Sequence, residues 1–425
     1  YQEFFFSDNF LRAKDRCLKM MDRLDFFGQF NRLDRECVFF KLALFILKEV
    51  NKNKPEYLIM AENAHSHAQY LLLEICSFLN LKIGRFNDYG GVTPLLFMKN
   101  LNDLTNIERK INYGRVVQKI YSNDLTSHVS KIDSLRANEN YLPDYEKFKT
   151  KKDSLLKVSN FKKNFQIILQ RLKLNLFYFK KNINNSYFFI NPYKLNFLIR
   201  RKIKRQRINN LNLSYKKNKK QVNLSKEYVY FALHCEPERT TNPDGGIFHD
   251  QIIAITNLRK ILPENINIII KEHPSQFILK KGLLGRSPLF YELVSNLSST
   301  YLVDTSIDNF KLIKNSNFVS TITGTIAREA AIMGKKSLIF GDAWFNNCPN
   351  VITWREGLTY QEIMDSNLED SKTITKFLIN HFDKYSIPGC QNGMTQKIFK
   401  DYQTPDFNRN ELEGITHLMK EFFKN

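Results

Sequence analysis

Between about residues 225 and 345 the chain alternates short, apolar, β-branched runs with amphipathic stretches of helical period, and no other feature limits its possible folds as strongly. The runs are YVYFAL (228–233), INIII (266–270), YLV (301–303), FVST (318–321) and SLIF (337–340). Runs so short and so continuously apolar suit strands covered on both faces, as in a parallel sheet whose crossovers are helices. The intervening segments 248–262, 287–297, 307–315 and 326–333 supply those helices, with Gly334 as a stop. The expected class is α/β and doubly wound. In such sheets ligands bind in the crevice outside the carboxyl ends of the strands, so the polar residues that follow each run are expected to meet on one edge.

Upstream the pattern is weaker. Residues 1–50 have apolar residues at helical spacing; YLIMA (57–61), a helix through AQYLLLEICSFLN and a second strand near 81–86 make one β-α-β unit. Residues 100–220 show long basic, helix-prone stretches and no clear strand, and read as further helix and linker. A chain of 425 residues exceeds one ordinary core. The expected division is 1–222, a Rossmann-like layer with a basic helical insertion; 223–405, a second Rossmann-like layer; and 406–425, a helix crossing back.

The net charge of +21 is concentrated in runs such as FKTKK, RRKIKRQR and YKKNKK between 147 and 220. Anionic lipid, acidic polysaccharide and nucleic acid would all be drawn to such a surface. The chain is also rich in Lys, Asn, Ile and Phe throughout, so part of the charge reflects general composition. Nucleic acid is the weakest of these partners: the aromatics lie mostly in apolar runs, and no RRM, KH or helix-turn-helix signature is present. No apolar run approaches the roughly 18–20 residues of a membrane span. Six scattered cysteines without a C-x-x-C pair suit free thiols in a reduced, cytoplasmic setting, with peripheral attachment to the inner face of the membrane. The first residue is Tyr1 and not Met, as in a fragment, which leaves open a leader or anchor upstream.

Four polar clusters follow strands in the second half: 234–246, 271–274, 321–325 and Gly341-Asp342. In the second, Lys271, Glu272, His273 and Pro274 close a strand. In the third, Thr323, Gly324 and Thr325 precede a helix, where backbone N–H groups, a helix dipole and two hydroxyls suit a phosphate; the alternative is an ordinary N-cap. Glu329, one turn on, is placed to accept from a ribose or simply to compensate the dipole.

LHCEPERTTNPDGGIFHDQ, IIIKEHPSQF and SNFVSTITGTIAREAAIMGKKSLIFGDAWF, in this order, resemble the C-terminal half of bacterial capsule and surface-polysaccharide glycosyltransferases of the GT-B type. The likeness is to the group that handles CMP-activated acidic sugars such as Kdo and nonulosonates. It covers roughly 225–345, with a thin extension to AENAHSHAQYLLLEICSFLNLK. The resemblance implies two Rossmann-like domains facing a central cleft, with extra helices. It implies that His273 contacts the donor phosphate, that Thr323, Gly324 and Thr325 cradle it, that Lys271 and Glu272 flank the nucleotide, and that Glu329 holds the ribose.

Transfer also needs a carboxylate or imidazole as base or nucleophile. The candidates are Asp244 in PDGG, similar to the loop acid of retaining Kdo transferases; Glu236, with Glu238, in the same loop; and Glu62 at the first strand's tip, with His65 and His67 nearby. Arg239 is suited to a substrate carboxylate. Asp304 and Asp308 are read as lying away from the tips, and neither a metal site nor a cofactor is expected. The expected activity is sugar transfer from a CMP-linked donor to a surface glycan or its lipid-linked precursor. The alternatives are a CDP-glycerol or CDP-ribitol phosphotransferase, a UDP-sugar transferase or UDP-GlcNAc 2-epimerase, and a non-enzymatic nucleic-acid-binding protein.

Overall fold

The computed structural model describes residues 2–25, 30–88, 95–98, 197–277, 285–387 and 405–424. Most of the basic segment 147–220 falls outside these residues; its last part forms the helix Phe197–Asn218.

The first sheet contains β1 (Tyr57–Met60), β2 (Lys82–Asp88), β3 (Leu95–Met98) and, from far along the chain, β10 (Ser386–Ile387). β1 and β2 are parallel and joined by the helix His67–Phe78, as the β-α-β reading expects. Ser66 and Gln69 form a capping box at the start of that helix. β3 is antiparallel to both β2 and β10, so this sheet is mixed and departs from the parallel layer expected of it. The helices Asp8–Met20, Arg32–Asn53 and His67–Phe78 pack around one apolar cluster that includes Phe39, Leu47, Tyr70 and Leu71. The helix Pro405–Lys424 returns to this sheet, where Leu418 and Phe422 pack with Phe86 and Ile387.

The second sheet is wholly parallel, in the order β6 (Thr300–Leu302), β5 (Asn267–Lys271), β4 (Tyr228–Ala232), β7 (Val319–Thr321), β8 (Ser337–Ile339), β9 (Val351–Thr353). Numbered within the sheet this is 3-2-1-4-5-6, the Rossmann order, whose topological switch lies between β4 and β7. β5 shows why its run is continuously apolar. Ile268 and Ile270 pack on one face with Ala254, Leu258, Tyr291 and Val294, while Ile269 packs on the other with Leu312, Ile313 and Ala330. All three isoleucines are fully buried, each contributing about 1.5–3 kcal/mol. Beyond the expected elements lie β9 and the helices Tyr360–Asp365 and Ser371–Tyr385.

Polar contacts join the two halves. Lys19 Nζ donates to the His249 carbonyl at 2.8 Å and pairs with Asp250. His249 Nε2 lies 2.7 Å from Asp15 Oδ2, and Asn242 Nδ2 donates to the Arg16 carbonyl at 3.1 Å. They seat the helix Asp8–Met20 against the segment that follows β4.

Candidate functional site

At the switch point the residues after β4 and β7 interlock. The Thr323 amide donates to His234 Nε2 at 3.1 Å, which leaves that nitrogen unprotonated and puts the ring proton on Nδ1. The Thr321 hydroxyl also lies 3.1 Å from Nε2, and the Thr323 hydroxyl donates to the Thr240 carbonyl at 2.6 Å. Burial pushes the His234 pKa down to about 4, so the ring is neutral near pH 7. A Cβ on Gly324 would lie 2.8 Å from Thr321 Oγ1 and 3.3 Å from His234 Nε2. The glycine of the T-G-T element is there because these partners leave no room for a side chain. In the same way a Cβ on Gly245 would lie 2.4 Å from the Thr241 carbonyl oxygen and 2.9 Å from Ile322 Cγ2, which packs the P-D-G-G loop down on the end of β7.

A cavity of about 530 Å³ opens over these tips, and His273, Lys271, Glu272, Thr323, Gly324, Thr325 and Glu329 all line it with His234 and Glu238. Residues from 271 to 329 thus converge on one space. The segment after β6 closes another side: Thr305, Ser306, Ile307, Asp308 and Asn309 line the cavity too. Asp308, expected to lie away from the tips, belongs to the lining because β6 is parallel to β5 and ends on the same edge. It caps the helix Asn309–Asn315. Asp304 is paired with Lys219, which with two Ser306 hydrogen bonds holds its carboxyl down at about 2.

The lining residues differ in what their side chains do. His273 Nδ1 accepts from the Ser275 amide at 3.2 Å, which makes Nε2 the protonated nitrogen of the neutral ring. That is the donor a phosphate oxygen accepts. The Thr325 hydroxyl lies 3.2 Å from Glu329 Oε1. Lys271, expected beside a nucleotide, is buried and donates to Asn309 Oδ1 at 2.8 Å and to the Ile307 carbonyl, which ties it to the loop after β6. Glu272 is fully buried: its carboxylate lies 3.1 Å from Arg286 Nε and accepts from the Tyr291 hydroxyl at 2.7 Å. It braces the strand tip from beneath.

Glu236 is also enclosed. It accepts from Gln251 Nε2 at 2.9 Å, its backbone is bonded both ways to Gln276, and burial raises its pKa. It lines a different cavity, of about 680 Å³, beside Leu211, Leu289 and Phe290. Glu62 and His65 are exposed, 3.4 Å apart, and line none of the cavities described here. His67 is the first residue of its helix, and its buried Nδ1 has no hydrogen-bond partner among the described residues.

Asp244 and Arg239 form an ion pair at 2.7 Å and line a second cavity, of about 370 Å³. Its walls come from both halves: Arg16, Asn63, Tyr70, Arg85 and Asn87 on one side, Gly245, Gly341 and Asp342 on the other. Burial, reinforced by Asp244, raises the Asp342 pKa against the opposing pull of Arg85 and Arg16. Burial lowers that of Arg85. Thr240, Thr323 and Thr325 line both this cavity and the larger one over the strand tips. Arg16, Arg85 and His234 went unnoticed as candidates. A charged residue inside the apolar strand β2, and a histidine directly after β4, were the signals available.

No protein-family model matches the chain, and no curated protein matches it. Among solved structures it is similar to the β-Kdo 2,4-transferase KpsC of Thermosulfurimonas dismutans, at 15% identity and a TM-score of 0.26, over 41% of this chain and 54% of that one. The match thus spans about half the length of that transferase. It is also similar to the UDP-GlcNAc 2-epimerase of Methanocaldococcus jannaschii, at 12% identity and a TM-score of 0.27, over 83% of each chain. Among the described residues no group of side chains has the arrangement of a metal site, and no helix is long and apolar enough to cross a membrane.

Proposed function

We propose that the chain is a glycosyltransferase of the GT-B kind, in which two lobes hold two substrates on either side of the T-G-T element. The observation that carries this reading is the shared wall: Thr240, Thr323 and Thr325 belong both to the cavity over the strand tips and to the cavity bearing Asp244. Two adjoining cavities at the switch point of a Rossmann-ordered sheet suit a donor and an acceptor meeting at one bond.

The larger cavity takes the nucleotide-sugar donor, probed first as a cytidine nucleotide in line with the sequence resemblance. His273 donates to its phosphate, Thr323 and Thr325 face the same group, and Glu329 lies where a ribose hydroxyl would donate to it. Asp244 acts at the anomeric carbon or the acceptor hydroxyl, held by Arg239. The departing nucleotide is stabilised by fixed N–H and O–H donors. The donor sugar is an acidic one such as Kdo or a nonulosonate, and the acceptor a surface glycan or its lipid-linked precursor. The helix Phe197–Asn218 exposes Lys202, Arg205, Arg207, Lys216 and Lys217 without an acidic residue, which supports work beside an anionic membrane surface.

The test is a thermal-shift titration with CMP, CDP, UMP and UDP on the protein and on His273→Ala. A ligand at 100 times its Kd adds about 2.7 kcal/mol. Stabilisation by cytidine nucleotides that fades in the variant is the expected result. Selective stabilisation by uridine nucleotides would replace the donor, and indifference to all four would remove the nucleotide reading.

A further inference from the structure

We infer that the smaller cavity recognises an acceptor through an anionic group, a carboxylate or a phosphate, with Arg85 and Arg16 as its anchors and Asn63 beside them for a hydroxyl. This rests on the two-cavity reading above.

Five charged side chains line the cavity: Arg16, Arg85, Arg239, Asp244 and Asp342. Arg239 and Asp244 cancel one another at 2.7 Å, so the residue first suited to a substrate carboxylate is already engaged. Arg16 donates to the Tyr70 hydroxyl at 2.5 Å, with its guanidinium 5.6 Å from that ring's centre, and this fixes its direction without neutralising it. Arg85 is 7% exposed and sits in the middle of β2, where a permanent cation loses most of its hydration. Asp342 opposes it, but burial and the nearby Asp244 both disfavour the charged form of that carboxyl. The cavity therefore holds an excess of fixed positive charge on the side of the first sheet.

A second observation comes from Asn63, 4% exposed and lining the same cavity. Its Oδ1 is buried and has no hydrogen-bond partner among the described residues. A buried acceptor left unpaired costs about 1–3 kcal/mol, so a ligand hydroxyl there is worth that much. Guanidinium donors beside an unpaired acceptor define a ligand with an anion close to a hydroxyl, which is the pattern of an acidic or phosphorylated saccharide. At about 370 Å³ the cavity suits a short saccharide unit, while Asp244 in its wall faces the larger cavity across Thr240 and Thr323.

The experiment titrates D-galacturonate, D-galactose 6-phosphate and D-galactose into the full chain by ligand-observed NMR, with the cytidine-nucleotide response of each variant as the control for folding. The expected result is binding of one or both anionic sugars but not galactose, weakened about tenfold or more in Arg85→Lys and Arg16→Ala. The anionic sugar that binds distinguishes carboxylate from phosphate. Arg85→Lys keeps the charge and loses the two-pronged geometry; should it not fold, Arg16→Ala, at the cavity rim, decides. Asn63→Asp should repel the same ligands. Equal binding of galactose, anion binding that survives in the Arg85 and Arg16 variants, or no binding of either anionic sugar at millimolar concentration overturns the inference. If nucleotides fail to bind but galacturonate binding depends on Arg85, the donor reading falls and the anion site stands.

Discussion

The two cavities are built by opposite means. The larger is assembled by the tips of one parallel sheet, and it is braced from within by the buried Glu272, Arg286 and Tyr291 and by the bonds from Thr323 to His234 and Thr240. The smaller is assembled between two sheets, whose facing walls are joined by surface-level contacts such as Lys19 with Asp250 and Asn242 with Arg16. A site made from one sheet stands or falls with that sheet's core. A site made between sheets can be loosened without unfolding either. The three predictions that follow test this difference.

The largest effect should come from the brace. Arg286 is 3% and Glu272 0% exposed in their side chains, so Arg286→Met leaves a buried carboxylate without its cation. Breaking such a pair costs about 3–5 kcal/mol. Urea denaturation should show that loss, and Glu272→Gln added to Arg286→Met should return part of it. A cost below about 1 kcal/mol would mean that the tip of β5 does not depend on this pair.

The next effect is on pH dependence. His234 has a folded pKa of about 4 against an ordinary value of 6.5, with burial as the main cause. Between those values the unfolded chain binds a proton that the folded chain does not, so stability falls as pH drops from 6.5 towards 4 and is fully present above 6.5. Part of the ring edge opens on the cavity, where water enters, so about 3 kcal/mol is a ceiling for the loss. His234→Gln should flatten this part of the stability curve. A curve of unchanged slope in the variant would place the acid sensitivity elsewhere, for instance in His381, also held down at about 4 by burial.

The same contrast governs what the sequence reveals. In the second half each side of the sheet is covered, so the strands are continuous apolar runs that can be read directly, and their parallel direction forces His273, Thr323 and Thr325 to one edge. The first half offers only one β-α-β unit, because its sheet is completed by β3 and by β10 from the far end of the chain, pairings that leave no local pattern. The smaller cavity is illegible for the same reason. Arg16, Arg85 and Asp342 are separated by hundreds of residues and become neighbours only when the halves meet. The identity of an acid also says little about its burial. Glu236, Glu272 and Asp244 are alike as letters near strand ends, yet Glu236 and Glu272 turn into the core and Asp244 faces a cavity.

The smallest effect should come from the seam between the halves. Lys19 is 22% exposed and its partner Asp250 54% exposed. Solvent screens such a pair, and its contribution is at most about 1 kcal/mol. The further hydrogen bond from Lys19 to the His249 carbonyl, at 2.8 Å, orients the helix Asp8–Met20 without bearing on either core. Lys19→Ala should therefore leave the denaturation midpoint nearly unchanged and the nucleotide response of the larger cavity intact. Binding of an anionic sugar in the smaller cavity should weaken, because Arg16 lies one helical turn away on the same helix and is positioned by it. A loss of nucleotide binding equal to the loss of sugar binding would show that the two cavities share one support, and the contrast between them would then be one of composition and not of construction.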